Sequence, residues 1–209
     1  RAQNGLDDWV VWLYLAGRGA GKTRTAAEWV RARVKSGQAR RIALIGPTAA
    51  DARKIIVEGD SGLLAVCWPG DEMDDGSPLG MPEWSPGNKE LTWSTPRGPV
   101  VASLFSAEEP ERLRGPQHDT ILCDELAAWA HLDDTWSNLM MGLRLGSQPR
   151  VIVTTTPRPL DILRNFVTEA DAPHSGICIT RGRTSDNAGN LPEQFLTDIE
   201  RAYGGTRLG

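Results

Sequence analysis

The sequence predicts an α/β domain with a mostly parallel central sheet flanked by helices and extended by extra antiparallel strands. Three observations predict it. A run rich in aromatic and β-branched residues, Trp9 to Leu15, leads into a glycine-rich turn and then a helical stretch, Arg24 to Val34. Further short apolar runs at 40–47, 120–123 and 150–156 alternate with helix-compatible segments, the order that a parallel sheet with right-handed crossovers requires. A Pro/Gly turn, Thr95 to Pro99, separates Leu91–Ser94 from Val100–Phe105, and this reads as a hairpin.

The bulk properties suit one large domain, or one domain with an appendage. The chain has 209 residues, 40% of them hydrophobic and 24% charged, ordinary values for a globular protein. Its net charge of −4 argues against coating nucleic acid through bulk charge, though not against local contact. Only Lys22, Lys35, Lys54 and Lys89 are lysines, so the basic residues are nearly all arginine, which suits bidentate phosphate contacts. Cys67, Cys123 and Cys178 are scattered and odd in number; they read as reduced and structural, in a cytosolic compartment. No apolar run approaches a membrane span, and no secretory signal pattern opens the chain.

The first strand is justified by the turn at its end. Ala16-Gly17-Arg18-Gly19-Ala20-Gly21-Lys22-Thr23 sits between a strand and a helix, the context that marks a phosphate-binding P-loop. The glycines let the backbone curl around an anion with its N–H groups inward. The helix N-terminus adds partial positive charge. Lys22 can reach the outer phosphates, and the Thr23 hydroxyl can ligate Mg²⁺. Ala16 stands where the usual pattern has Gly. The nucleotide-binding set is therefore Ala16, Gly17, Arg18, Gly19, Ala20, Gly21, Lys22, Thr23 and Arg24. Upstream, residues 1–8 read as a lead-in, with Gln3 the one residue there that could touch a base.

Ser36-Gly37-Gln38 stops the first helix, 40–47 is a second buried strand, and Thr48 caps a helix over 49–56. Residues 67–89, dense in Pro and Gly, carry Asp71, Glu72, Asp74 and Asp75. Their spacing matches no Ca²⁺ loop, and a solvated surface insertion is expected. The polar loop 106–117 carries Arg112 and Arg114 between two strands, a position suited to displaying an arginine, or to a short solvated helix.

Thr120-Ile121-Leu122-Cys123-Asp124-Glu125 is an apolar strand ending in two acids, the Walker B pattern. Asp124 is expected to hold Mg²⁺ beside Thr23, and Glu125 to orient and deprotonate the attacking water. A Glu directly after the Asp favours hydrolysis over simple binding. Trp129, Trp136, Leu139, Met140 and Met141 read as packing surface. His118, His131 and His174 form no ligand set. The strand at 150–156 ends in Thr154-Thr155-Thr156; sheet order would place it beside the P-loop, where Thr155 is expected to sense the γ-phosphate. A helix over 159–170, a strand over 176–180 and a helix over 192–203 complete the chain.

With these residues together, the chain resembles the N-terminal ATPase domain of the large terminase subunit of tailed bacteriophages, prophages and gene transfer agents. The resemblance runs through nearly the whole chain. It is carried by Ala16 to Thr23, Phe105 to His118, Leu122 to Trp129, Thr154 to Pro159, and Tyr203-Gly-Gly-Thr-Arg-Leu-Gly209; an arginine at the position of Arg18 is typical of that family. It implies a P-loop NTPase of the ASCE/RecA-like class, with ATP and Mg²⁺ as cofactors. It also implies a motor that moves double-stranded DNA into a procapsid, with Lys22 and Glu125 catalytic, Thr23 and Asp124 on the metal, and Arg114 acting in trans. The partners implied are double-stranded DNA, the portal protein and procapsid, the small terminase subunit, and other copies of the chain in a ring, a pentamer, with a monomer in isolation. The implied location is the host bacterial cytoplasm, docked transiently on the portal, with no membrane. On this reading residues 1–182 form the ATPase core. Residues 183–209 are a polar connection and helix leading toward a nuclease domain outside this chain, so cleavage activity is not expected here. The alternatives are a P-loop kinase acting on a small molecule and a non-catalytic, nucleotide-gated assembly module.

Overall fold

The structure, a computed structural model, describes residues 9–203. Residues 1–8, with Gln3, and the motif residues 204–209 lie outside the described residues. Strand β1 (Val11–Ala16) leads into helix α1 (Lys22–Lys35), and β2 (Arg41–Gly46) comes next. The Thr48 hydroxyl accepts from the Asp51 N–H at 3.0 Å and caps α2 (Ala49–Asp51), which continues as a π-helical turn over Ala52–Val57. After α3 (Leu63–Val66) come β3 (Glu83–Ser85), β4 (Glu90–Trp93) and β5 (Val100–Ser106). The remaining elements are β6 (Thr120–Cys123), α4 (Leu132–Gly142), β7 (Arg150–Thr155), α5 (Asp161–Glu169), β8 (Ile177–Gly182) and α6 (Glu193–Tyr203).

One eight-stranded sheet runs in the order β3-β4-β5-β2-β6-β7-β1-β8. Six strands are parallel; β4 pairs antiparallel with β5, and β3 with β4. The mostly parallel sheet and the β4–β5 hairpin are as the sequence predicts. Strands alternate their side chains between faces, and both faces are covered. Ile42 and Leu44 of β2 pack with Ala26, Val30 and Val34 of α1. Ala43 and Ile45, one residue out of phase, pack in the layer of Leu139 from α4 and Leu163 and Phe166 from α5. Because β6 and β7 insert between β2 and β1, the carboxyl ends of β6 and β7 stand beside the loop after β1, where parallel α/β sheets form their crevice.

The insertion 67–89 departs from expectation. Met73 and Leu79 are buried in the core, and Glu83–Ser85 adds an edge strand. Asp71 is buried rather than solvated: both oxygens accept from the Arg31 guanidinium, and Lys35 donates to Oδ1 at 2.8 Å. Arg31 also stacks 3.7 Å from the Trp68 ring centroid. Glu72, Asp74 and Asp75 do remain exposed. The segment is tied down because a buried carboxylate needs paired donors, and α1 presents two of them on one face.

Candidate nucleotide site

The loop after β1 has the geometry its glycines permit. Gly19 and Gly21 take φ of 73° and 79°, the left-handed region that other residues enter at a cost. The Tyr14 hydroxyl donates to the Ala20 carbonyl at 3.0 Å, and the Lys22 amine donates to the carbonyls of Ala16 and Gly17 at 3.2 and 2.9 Å. Arg18 to Thr25 form one wall of a cavity of about 1090 Å³, and Asp124 and Glu125 form another. The structure thus brings Arg18, Lys22, Thr23, Arg24, Asp124 and Glu125 together. Arg24 sits at the rim, paired with Glu28 at 2.8 Å.

Asp124 leaves β6 at its carboxyl end and is buried. Burial pushes its carboxyl above the usual carboxylate range, opposed by the bond from the Thr154 hydroxyl (2.5 Å) and by Lys22. Burial likewise lowers the Lys22 ammonium, with Glu125 and Asp124 raising it. The Trp129 indole N–H donates to the Asp124 carbonyl at 3.0 Å, so part of the packing face on 127–142 also steadies the acidic turn. Glu125 has φ 47° and ψ 50°, left-handed backbone that a non-glycine residue holds only where its surroundings insist. Its Oε1 accepts from the Thr156 N–H at 3.0 Å and from the Thr156 hydroxyl.

Thr155 is not brought to the cavity. It is fully buried, and its hydroxyl accepts from the Ala127 N–H at 3.0 Å. The neighbouring hydroxyls, Thr154 and Thr156, reach the acids instead. Arg114 stands on the loop between β5 and β6, exposed, paired with Glu111 at 2.9 Å and donating to Asn138 Oδ1 at 3.4 Å. It does not line the cavity of its own chain.

The polar connection after β8 returns to the P-loop, a placement the division at residue 182 does not foresee. The Thr184 hydroxyl donates to the Arg18 carbonyl and the Asn187 amide to the Gly19 carbonyl, each at 2.7 Å. Leu191 and Phe195 close over Gly19: a Cβ there would stand 3.1 Å from Leu191 Cδ1 and 3.0 Å from Phe195 Cε1. The signal available in the sequence is the cluster of Thr184, Asn187 and Asn190 before an amphipathic helix, with nothing local to say what it faces.

Mg²⁺ asks for hard oxygen donors and few protein ligands, keeping water and substrate phosphate for the rest. The Thr23 hydroxyl and Asp124 carboxylate, lining one cavity, fit that demand. No group of three or more His, Cys, Asp or Glu positioned to hold a metal occurs among the described residues, and no helix there is long and apolar enough to cross a membrane.

A P-loop between β1 and α1, with a strand-end acid pair one strand removed across the sheet, defines a P-loop nucleotide-binding fold. Residues 13–208 match the family described as terminase large subunit, T4likevirus-type, N-terminal, and the chain belongs to that family. The large terminase of a thermophilic bacteriophage in complex with ATP-γ-S is similar in structure, with a TM-score of 0.75 at 15% identity over 100% of this chain and 48% of that one. The same phage protein in complex with ADP gives 0.73 at 16% identity, over 98% and 48%. The large terminase ATPase domain of Thermus phage P74-26 gives 0.62 at 15% identity, over 97% and 86%. At these identities the likeness shows the fold, and the chain spans about half the length of the thermophilic-phage terminase. No curated protein sequence matches.

Proposed function

We propose that this chain is the ATPase motor domain of a viral DNA-packaging terminase, hydrolysing ATP to drive double-stranded DNA into a procapsid. The observation that carries the proposal is the convergence of Lys22, Thr23, Asp124 and Glu125 on one cavity in a chain of the large terminase family. The inward N–H groups of the loop cradle the phosphates, and Lys22 exchanges the carbonyls of Ala16 and Gly17 for phosphate oxygens. Thr23 and Asp124 hold Mg²⁺. Held by these two residues, the metal would supply positive charge against the negative charge that develops on the transferred phosphoryl group. Glu125 takes the proton of the water that attacks the γ-phosphorus, while the bond to the β–γ bridging oxygen breaks and ADP leaves. Arg18, on the cavity wall, reaches the γ-phosphate side. Arg114, which does not line its own cavity, serves the site of a neighbouring copy, which makes a ring, a pentamer in this reading, the active form and the isolated chain a monomer. The portal protein, procapsid and small terminase subunit are the proposed partners, in the host cytoplasm. Residues 1–182 are the proposed core and 183–209 the connection onward, with nuclease activity assigned to a domain outside this chain.

The test is Glu125→Gln, which should keep ATP affinity and abolish hydrolysis; retained hydrolysis reassigns the base. Phosphate transfer to a metabolite rather than water would establish the kinase alternative. A wild-type chain that binds ATP without turnover, even with procapsid and DNA, would establish the assembly-module alternative.

A further inference from the structure

A second cavity, of about 500 Å³, lies beyond the other end of β6 and shares no lining residue with the nucleotide cavity. Strands β2 and β5 pair in parallel, with Arg41 opposite Val101 and Ala43 opposite Ser103. Side chains alternate between faces, so Arg41, Val101, Ser103 and Phe105 share one face. Together with Glu90 of β4 and His118, two residues before β6, they line the cavity.

His118 is the residue the fold leaves unexplained. It is 4% exposed, its ring meets Phe105 edge-on with centroids 5.6 Å apart, and neither ring nitrogen has a hydrogen-bond partner among the described residues. A buried polar group left unpaired costs about 1–3 kcal/mol, and native proteins hold few of them. Arg41 is exposed, and its guanidinium makes no hydrogen bond or ion pair among the described residues. Arg40, on the same lining, gives Nη1 to the Arg97 carbonyl. One carboxylate opposes them: Glu90, whose Oε1 accepts from the Ser103 hydroxyl at 3.1 Å. Asp119, next in the chain, has both oxygens engaged, Oδ2 by the N–H groups of Arg40 and Arg41 and Oδ1 by the Thr120 hydroxyl. Arg144, whose N–H donates to the His118 carbonyl at 3.0 Å, brings a further positive charge to that stretch. Burial and Arg41 keep the imidazole neutral, so the lining carries two positive charges against one negative.

A cation would be repelled by this lining, and an apolar ligand would leave the guanidinium groups and the imidazole unpaired. A tetrahedral dianion answers both. Its oxygens match the guanidinium fork of Arg41, and its charge favours a proton on the imidazole. Ile42, Pro99 and Pro116 make the remaining walls apolar, which strengthens the attraction. We propose that this cavity is a second anion site, taking one phosphate group between Arg40, Arg41 and His118. The phosphate is free or part of a nucleic-acid backbone, since both present the same oxygens. The proposal stands apart from the hydrolase reading, because the two cavities have no residue in common.

The test fills the P-loop with a non-hydrolysable ATP analogue and Mg²⁺ and then adds sulfate, which has the shape of phosphate and stays a dianion between about pH 5 and 8. The chain has three histidines, His118, His131 and His174, so their imidazole signals are separable by NMR, and His118→Gln assigns its own. Sulfate should shift the His118 signal saturably and leave the other two in place. It should also raise the proton affinity of His118, which titrates at about 4 without it, by about tenfold or more, and bind more tightly as pH falls. Arg41→Ala, at an exposed position, should weaken sulfate by about tenfold, and Arg41→Lys by less. A drift without saturation that is equal in all three histidines is an ionic-strength effect and overturns the proposal. So does wild-type sulfate affinity in Arg41→Ala. If His118→Gln does not fold, the wild-type titration and Arg41→Ala still decide. Displacement of sulfate by a short DNA duplex at lower phosphate concentration than inorganic phosphate requires assigns the site to a nucleic-acid backbone; displacement by inorganic phosphate alone assigns it to the free ion. Displacement by neither overturns the proposal.

Discussion

Gly19→Ala tests whether the connection after β8 belongs to the nucleotide site. Gly19 holds φ 73°, and a Cβ there meets Phe195 Cε1 at 3.0 Å and the Leu191 methyls at 3.1 and 3.3 Å. An L side chain in the left-handed region costs about 1–2 kcal/mol. The ring and the methyls must also give by a few tenths of an ångström, and the low-cost way is for the segment to lift off the loop. Lifting it breaks the bonds from Thr184 and Asn187, 2.7 Å each, worth about 1 kcal/mol net apiece. The contact is thus weakened by about 2 kcal/mol or more, which at 1.4 kcal/mol per tenfold is roughly 30-fold in the opening equilibrium. Hydrogen exchange at 184–196 should accelerate by about that factor, and affinity for an ATP analogue should fall by about tenfold. Gly189→Ala is the control, since nothing lies within 4 Å of a Cβ there. Exchange at 184–196 within about twofold of wild type in Gly19→Ala, with affinity unchanged, would refute the coupling of this segment to the loop.

Asp71→Asn should lower folding stability by about 2–4 kcal/mol, since removing one partner of a buried pair leaves the other uncompensated; urea denaturation measures it. Burial alone would raise the Asp71 carboxyl, but the bonds from Arg31 and Lys35 hold it below the ordinary value. Its contribution is therefore complete above the ordinary carboxylate pKa and lost as pH falls through the lower folded value, and the difference between wild type and variant should shrink there. Burial, with Arg41 nearby, lowers the His118 imidazolium to about 4, so the folded protein keeps this ring neutral while the unfolded chain protonates it near 6.5. Stability should fall as pH drops from 6.5 toward 4, by up to about 1.4 kcal/mol per pH unit, and His118→Leu should remove that component of the slope. Arg114→Ala should leave analogue affinity of the isolated chain unchanged and remove any rise in turnover on assembly; equal turnover of monomer and assembly in wild type would end the trans-acting assignment.

The parts of the site legible in the sequence are those whose physics is local. Gly19, Gly21, Lys22 and Thr23 declare themselves within a few residues, because a tight anion cradle needs glycines and a helix start in immediate succession. Asp124 and Glu125 close a four-residue apolar strand, and Thr48 caps its own helix. The hidden parts depend on partners far along the chain. Asp71 reads as solvated among Pro, Gly and acids, because its partners lie on α1; Arg31 and Lys35, four residues apart on one helical face, are the clue that a carboxylate is wanted there. Local sequence points to Thr155, whereas Thr154 and Thr156 touch the acids. The strand is legible, but the register at which the ladder ends, Cys123 opposite Val153, decides which hydroxyl faces the turn, and register is a tertiary property. The return of Thr184 and Asn187 to the loop spans more than 160 residues.

The charge of the cavity supports assigning a second copy to the active form. Among its lining residues, Arg18, Lys22, Arg24 and Lys54 face Asp51, Asp60, Asp124 and Glu125, so four positive side chains meet four negative ones and the lining is neutral in sum. Arg24 is further engaged by Glu28. A triphosphate with its metal still carries net negative charge, and the charge spread over the γ-phosphoryl oxygens in the transition state needs local cations. Loop N–H groups and a helix N-terminus suit the ground state, so on the proposed reading the chain would hold nucleotide more readily than it hydrolyses it alone. A further guanidinium is what the balance lacks. Arg114 is exposed, held among the described residues by a surface pair with Glu111 and a 3.4 Å bond to Asn138, and such pairs are worth little, so leaving its own surface for a neighbour's phosphate would cost little. An arginine delivered this way contributes roughly 10³–10⁵-fold in related phosphoryl-transfer sites. On the proposed reading, a neutral cavity with a detachable arginine outside it would make turnover depend on assembly, as a motor that spares nucleotide while unattached requires.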